Sequence, residues 1–223
     1  MRNEWLAENT ALFRGLSEDE LKYALTFFRA QRRTYQRGEF FVRPGDSMHD
    51  FGLVLSGIVQ VSMIDLNGNR MIMANVSSGE TFGESLSFLA VASSPIYVAA
   101  AVDAEILWLN TEALRRPQTE PVAQMLLQRF IAMLAGRTLS MNDRIQILSK
   151  KTLRGKLIAF FSQQIKRNGG ISFSVDMDRS AMADYLGTDR SALSRELSSM
   201  RREGLLEYRK NRFVLLHARI FEE

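Results

Sequence analysis

Apolar residues follow different spacings in successive regions of the chain. Residues 4–30 carry an apolar residue every three or four positions, which predicts helix. Residues 31–110 contain short apolar runs separated by turn residues, which is typical of β-strands. Helical spacing returns at 118–148 and again at 152–167, so the sequence predicts a long helix followed by a shorter one.

Glycine-containing turns divide the β-type region. They fall at Gly38, Pro44-Gly45, Ser56-Gly57, Asn67-Gly68 and Ser78-Gly79. Asn-Gly between alternating apolar runs is a strong hairpin signal, and repeated short strands with regular turns predict a jelly roll or barrel. Before this region, Ser17 and Glu20 have capping-box spacing, which predicts a helix that buries Leu21, Leu25 and Phe28.

Residues 178–203 have the pattern of a helix-turn-helix. Two apolar stripes are formed by Met182, Ala183 and Leu186 and then by Leu193, Leu197 and Met200. Gly187 lies between them, where a sharp turn favours a residue without Cβ. Asp178 and Asp189 stand where N-cap carboxylates accept backbone N–H bonds. The second helix has a basic, hydroxyl-rich outer face, as expected of a helix that enters the major groove.

The segment after the second helix predicts a wing. Gly204 is followed by the apolar run LLEY, the polar turn RKNR and the apolar run FVLL, the pattern of a hairpin with a basic tip. The net charge is +4, but residues 1–149 carry −2 and residues 150–223 carry +6. A basic C-terminal region fits contact with nucleic-acid phosphates.

Composition excludes several other chemistries. There is no cysteine, so disulfides, thiolate-bound zinc and cysteine-ligated iron–sulfur clusters are excluded. An enzyme on a β-barrel scaffold would need clustered His and carboxylate ligands, whereas His49 and His217 lie in separate regions. No hydrolase elbow, P-loop or H-E-x-x-H motif occurs. We therefore expect no enzymatic activity, no bound metal and no cofactor. His49 is more typical of a surface residue than of a haem ligand.

Targeting signals are also missing from the sequence. No run of about 18 apolar residues is present, so no membrane span is expected. The first ten residues lack the apolar core of a secretory signal. We therefore expect a cytoplasmic protein.

The order of predicted elements resembles the Crp/Fnr superfamily of bacterial transcription regulators. The most specific matches are GETFGESLSFL at 79–89, similar to the family's cassette, and ADYLGTDRSALSREL at 183–197, similar to its recognition motif. The resemblance implies an α+β fold with a sensory β-roll at 1–117, a dimerisation helix at 118–149 and a winged helix-turn-helix at 150–223. A long helix that packs only on its own barrel is the alternative to dimerisation.

The family also implies partners. These are near-palindromic double-stranded DNA, a second copy of the chain in a homodimer, RNA polymerase and a small-molecule effector of unknown identity. A cyclic-nucleotide-gated regulatory subunit is a competing class, but it would lack the winged helix.

Candidate DNA contacts follow from the recognition motif. Arg190 and Arg195 are predicted to contact bases, because Arg pairs bidentately with guanine. Ser191 and Ser194 can reach bases or phosphates, and Ser191 stands where the best-known members have Glu, so we expect a different half-site. Phosphate contacts are predicted for Arg179, Arg209, Lys210 and Arg212. Solvated and phosphate-contacting roles stay equally open for Arg201 and Arg202.

The cassette departs from the cyclic-AMP-binding members. Those members have Gly-Glu and, about eleven residues on, an Arg that pairs with the cyclic phosphate. Gly83-Glu84 is present here, but Ser94-Pro95 stands at the Arg position, and no Lys or Arg occurs between 71 and 114. The family's base-contacting Thr-Ser pair falls at Met141-Asn142. The expected effector is therefore not cyclic AMP.

An effector pocket can still be carried over by position. Its predicted lining is Phe82, Glu84, Ser85, Leu86, Ser94, Tyr97, Arg137, Met141 and Asn142. The fairly apolar lining indicates a small hydrophobic or carboxylate ligand. As an alternative to ligand contact, Glu84 caps a short helix at 84–90 or pairs with a nearby base.

Overall fold

The computed structural model describes residues 3–64, 70–175, 177–217 and 221. The chain forms two compact units, Met1–Ala135 and Gly136–Glu223. The boundary between them falls inside the long helix, so that helix contributes residues to both units. The division at 117 and 149 that the family resemblance implies stays a prediction.

In its described residues, the first unit combines three whole helices and the beginning of the long helix with eight strands. Its helices are α1 (Asn3–Asn9), α2 (Glu18–Phe27) and α3 (Glu84–Phe88). Its strands are β1 (Gln31–Tyr35), β2 (Phe40–Val42), β3 (Asp50–Ser56), β4 (Ile58–Ile64), β5 (Arg70–Ser77), β6 (Thr81–Phe82), β7 (Tyr97–Ala100) and β8 (Ala104–Asn110). A 3₁₀ turn follows at Ala113–Arg115. The predicted mixture of helix and β-roll is confirmed.

Two four-stranded antiparallel sheets make the roll. One has the order β1-β8-β3-β6 and the other β2-β7-β4-β5. Val54, Phe82, Val98 and Trp108 belong to one buried cluster of the roll. A second cluster packs Phe28 and other helical residues against strands β3 and β8. This packing explains the strand pattern, because β3 and β8 are buried along most of their length and carry near-continuous apolar runs.

The predicted start of α2 and the roll turns are confirmed. The Ser17 side chain accepts a hydrogen bond from the Glu20 amide, and Glu20 accepts one from the Ser17 amide at 2.8 Å. The bond from the Ser17 amide, and a second bond that the Ser17 hydroxyl donates to the carboxylate at 2.8 Å, lower the pKa of Glu20. Position 57 requires glycine, because a Cβ there would lie 2.2 Å from the Asp103 carbonyl oxygen. The predicted Asn67-Gly68 turn lies outside the described residues.

The second unit contains the end of the long helix and a domain built of helices and strands. The helices are α4 (Pro121–Leu148), α5 (Leu153–Asn168), α6 (Arg179–Leu186) and α7 (Arg190–Arg202). The strands are β9 (Ser172–Ser174), β10 (Leu206–Arg209) and β11 (Arg212–Leu215), in the order β10-β11-β9. The long helix begins at Pro121 rather than at 118, since proline is tolerated in the first turn and disfavoured further in. Within the described ranges, no helix has the length and apolar character to span a bilayer.

Candidate nucleic-acid interface

Helices α6 and α7 form the predicted helix-turn-helix. All six residues of the two apolar stripes are buried in one core with Phe160, Phe161 and Phe213. Gly187 ends α6 in the left-handed region with a φ of 60°. A Cβ there would lie 3.3 Å from the Leu148 side chain, so the turn is tight as well as left-handed.

Both predicted aspartate caps are confirmed. The Asp178 carboxylate accepts a hydrogen bond from the Ala181 amide at 2.8 Å, and the Asp189 carboxylate accepts one from the Ala192 amide at 2.7 Å. Asp189 also accepts a bond from the Ser191 hydroxyl at 2.5 Å. The Ser191 bond and then the Ala192 bond lower the pKa of Asp189. Local contacts therefore help to fix the start of α7.

The wing is attached to the start of α6 through Arg179. This side chain donates from Nη2 to the Lys210 carbonyl oxygen at 2.9 Å. Its guanidinium carbon lies 5.0 Å from the Tyr208 ring centroid and 5.1 Å from that of Phe213. Burial lowers the pKa of Arg179. Arg179 thus contacts the wing. The sequence predicted only a phosphate contact for this residue.

A group of cations lies near the start of α7 and on the wing. Five of these side chains make no hydrogen bond or ion pair with any described residue: Arg190, Arg195, Arg209, Lys210 and Arg212. All five are exposed. Arg201 differs, because its Nε lies 2.8 Å from the Glu207 carboxylate and its guanidinium lies 5.8 Å from the Tyr208 centroid. The unpaired charges are available to an external anion.

The hydroxyls of Ser191 and Ser194, near the start of α7, both donate hydrogen bonds within the protein. The Ser191 hydroxyl donates to Asp189, and the Ser194 hydroxyl donates to the Arg190 carbonyl at 2.8 Å. Both residues are exposed, and each hydroxyl oxygen keeps lone pairs that can accept a bond. Their predicted contacts with bases or phosphates stay predictions.

Three charged residues missed by the sequence analysis link α5 to α7. Arg154 donates from Nε to Glu196 at 2.6 Å, and from Nη1 and Nη2 to the two carboxylate oxygens of Glu203 at 2.7 and 2.6 Å. The contacts span more than forty residues of sequence, so local spacing gives no signal for them. The sequence contained one hint of such a network, because Glu196 and Glu203 are seven residues apart and so share one side of a predicted helix.

The cassette lies in the first unit, where Glu84 begins α3. The expectation that Glu84 caps this helix is wrong, because Gly83 is the N-cap and no side chain caps it. The buried Glu84 carboxylate instead accepts a hydrogen bond from the Thr81 hydroxyl. The helix also ends at Phe88 rather than at 90, and Ala90 has a left-handed φ of 50°.

The predicted effector residues fall in both compact units. Six are in the first unit: Phe82, Glu84 and Ser94 are buried, Leu86 and Tyr97 are half-buried, and Ser85 is exposed. Arg137, Met141 and Asn142 are exposed residues of α4 in the second unit. The nine-residue pocket therefore stays a prediction.

The cassette does not supply a charged partner for a cyclic phosphate. Ser94, at the position of the family's Arg, is 2% exposed. Its hydroxyl accepts a bond from the Ile96 amide at 3.2 Å, and its backbone pairs with Gly45 and Asp46. Since the segment 71–114 contains no Lys or Arg, these residues do not fit the phosphate of a cyclic nucleotide.

A separate surface cavity of about 370 Å³ opens on the roll. His49 lines it together with Tyr35, Asp50 and Trp108, and none of the nine predicted effector residues does. Across the described part of the chain, no group of three or more His, Asp or Glu is arranged to hold a metal ion.

Comparison with known proteins matches each unit to a family. The model of the cyclic nucleotide-binding domain matches residues 32–117, and that of the Crp-like helix-turn-helix domain matches residues 155–220. The cyclic AMP receptor protein of Thermus thermophilus is 27% identical over 220 residues, 97% of each chain. The transcriptional activator FnrL of Cereibacter sphaeroides is 25% identical, over 86% of this chain and 79% of that protein.

Solved structures show the same architecture. The catabolite activator protein of Thermus thermophilus matches with a TM-score of 0.52 and 27% identity, over 96% of this chain and 97% of that one. A β-roll, a long helix and a winged helix-turn-helix, in this order, define a class of DNA-binding regulator. The chain belongs to the Crp/Fnr superfamily of transcription regulators.

Proposed function

We propose that the protein is a homodimeric transcription regulator that binds a near-palindromic DNA site through α7 and the wing. The observation that carries this proposal is the group of unpaired, exposed cations at the start of α7 and on β10–β11. Arg190 and Arg195 would contact base edges in the major groove, supported by Ser191 and Ser194. Arg209, Lys210 and Arg212 would contact phosphates.

Arg179 has a double role in this proposal. Its contacts with Lys210, Tyr208 and Phe213 hold the wing turn next to the start of α6. A guanidinium has five N–H donors, so the remaining donors can still reach a phosphate at that helix start. Arg201 is less suited to phosphate contact, because Glu207 already neutralises it.

Dimer formation is supported by apolar residues on α4. Ile131, Met141 and Ile145 are 55%, 65% and 61% exposed. They share alternating three- and four-residue spacing with Leu134, Thr138 and Leu148, which is the seam of a coiled coil. A second α4 related by a two-fold axis would cover this seam and place two α7 helices on adjacent half-sites.

The dimer proposal is tested by light scattering on purified protein. We expect twice the chain mass for the wild type and the single-chain mass for Met141→Glu/Ile145→Glu. Leu89→Glu is the matched control, because Leu89 is 72% exposed and lies outside α4. A wild type that stays monomeric at working concentrations, or a double variant that stays dimeric, contradicts the α4 interface.

A small effector other than a cyclic nucleotide would control DNA binding from the roll. Two observations support an effector other than a cyclic nucleotide. Residues 71–114 contain no Lys or Arg, and the Ser94 hydroxyl already accepts a bond from the Ile96 amide. The effector would lie among the nine predicted residues. RNA polymerase is the further partner proposed from the family, and the cytoplasm is the proposed location because bacterial DNA is there.

DNA binding is tested by selecting bound fragments from a random duplex pool. The enriched sequence is then titrated against a scrambled duplex at several salt concentrations. We expect an enriched two-fold symmetric motif and affinity that falls steeply with salt, as phosphate contacts require. Failure to enrich any motif would contradict the proposal.

A further inference from the structure

We propose that Arg154 is a positioning residue that fixes the rotation of α7 about its own axis. The inference rests on the proposed DNA-binding function and adds a residue that does not contact DNA. The Arg154 guanidinium uses all three of its nitrogens on α7 and its C-cap residue, through contacts of 2.6, 2.7 and 2.6 Å to Glu196 and Glu203. A planar fork that is held at three points resists rotation as well as separation.

The two acids lie along one line of α7. Glu196 and Glu203 are seven residues apart, close to two turns of helix. The buried residues Leu193, Leu197 and Met200 lie on the neighbouring side and hold α7 in the core. Close packing of these three side chains decides which side of α7 faces the core. The fork adds a directional contact at one flank of the packed face.

The predicted DNA contacts lie on other sides of α7 than the fork. At 3.6 residues per turn, Ser194 lies about 160° and Arg190 about 120° around the helix from Glu196, and Arg195 lies about 100° away on the other flank. The fork therefore does not compete with DNA for the cations. A small rotation of α7 would displace the long Arg190 and Arg195 side chains from their base edges, and hydrogen bonds weaken steeply with misalignment.

The network is closed and partly shielded from solvent. Side-chain exposures are 38% for Arg154, 26% for Glu196 and 41% for Glu203. Ser199 donates a further bond to Glu203 at 3.0 Å. The Arg154 bond and then the Ser199 bond lower the pKa of Glu203, so its carboxylate is charged and fully engaged at neutral pH. A multi-point network restrains geometry better than an isolated surface pair.

The competing explanation is a purely electrostatic one. Arg154 neutralises two negative charges on a helix that approaches DNA, and this alone would favour binding to any duplex. The two explanations differ in the cognate-to-scrambled ratio that they predict for Glu203→Gln. If charge were the whole effect, removal of a negative charge at the end of α7 would tighten binding to every duplex and leave the ratio unchanged. Loss of positioning would lower the ratio.

The experiment titrates wild-type protein and the variants Arg154→Lys, Glu196→Gln and Glu203→Gln with the selected duplex and its scrambled form. Arg154→Lys keeps the charge but cannot form the three-point fork. We expect each variant to lose about 3- to 10-fold in the cognate-to-scrambled ratio, the scale of one directional contact. The salt slope should stay that of the wild type for Arg154→Lys. Asp184→Asn is the matched control, because it removes an exposed charge from α6 without touching the fork.

A wild-type ratio in Arg154→Lys, or tighter binding of Glu203→Gln to both duplexes at an unchanged ratio, would overturn the inference. Hydrogen exchange of α7 amides gives a readout that does not need DNA. We expect faster exchange in Arg154→Lys at an unchanged thermal midpoint of the roll, and unchanged α7 exchange would also overturn the inference. If the wild type itself binds no duplex, the proposed function fails, and the exchange result still decides whether Arg154 restrains α7.

Discussion

The helix-turn-helix and the cassette retain the family's charged residues to different degrees. The first has Arg190 and Arg195 exposed and unpaired at the positions of its recognition motif. The second keeps Gly83-Glu84 but has the buried, hydrogen-bonded Ser94 where an Arg would meet a phosphate. The comparison indicates that the side chains proposed for DNA recognition and those proposed for effector recognition form separate sets, so one set can change while the other stays.

Replacement of Arg195 tests the DNA side of this comparison most strongly. We expect Arg195→Ala to weaken cognate binding by about 1–3 kcal/mol and to relax specificity at one base position. Repeating the duplex selection with the variant measures both effects. Arg202→Ala removes the same charge from the last turn of α7 and should leave the selected motif unchanged. Equal losses on cognate and scrambled duplex for Arg195→Ala would remove its base-contacting role.

Removal of the α6 cap tests whether the two units are independently stable. Asp178→Ala should destabilise the second unit by about 1 kcal/mol, because the Ala181 amide loses its acceptor. Hydrogen exchange of α6 amides measures this change. Trp5 and Trp108 both lie in the first unit, so their fluorescence reports on the roll, and its unfolding midpoint should not move. Asp184→Ala, which removes an acid without a cap bond, is the control.

Replacement of Lys210 should have a smaller and less specific effect. Lys210→Ala should weaken binding to all duplexes alike and lower the salt slope by about one, since a phosphate contact carries no sequence information. Titration at several salt concentrations measures the slope. A change in the selected motif would contradict a phosphate-only role. Arg179 keeps its bond to the Lys210 carbonyl in this variant, so the wing turn should keep its position.

The cassette should show no response to cyclic AMP. A ligand at 100 times its Kd stabilises a protein by about 2.7 kcal/mol, which a thermal melt detects readily. We expect cyclic AMP to shift the melting midpoint no more than linear AMP does at the same concentration. A larger shift with cyclic AMP would show that the roll binds the cyclic phosphate without the family's Arg.

Local rules predicted the fold better than the site. Gly187, Asp178 and Asp189 were identified because capping and turn chemistry depend on neighbouring residues. Long-range pairs were not, because the Arg154 contacts span 42 and 49 residues and the Arg179 contact spans 31. Nothing in a local pattern indicates which acid or carbonyl a folded chain brings to an arginine.

The cassette illustrates the same limit. The sequence predicted a turn and a short helix at 84–90, and it left ligand contact, helix capping and pairing with a nearby base open for Glu84. The structure pairs its carboxylate with the hydroxyl of Thr81, on β6, where the tight turn at Gly83 brings the two side chains together. Burial of both residues could be judged only after the sheet partner of β6 was known.

The most direct test of the account is a competition titration of the wild-type protein, with a selected duplex against its scrambled form at physiological salt. We expect two chains per symmetric duplex and a preference for the selected sequence of at least about 1,000-fold. Equal affinity for both duplexes, or one chain per duplex, would contradict it.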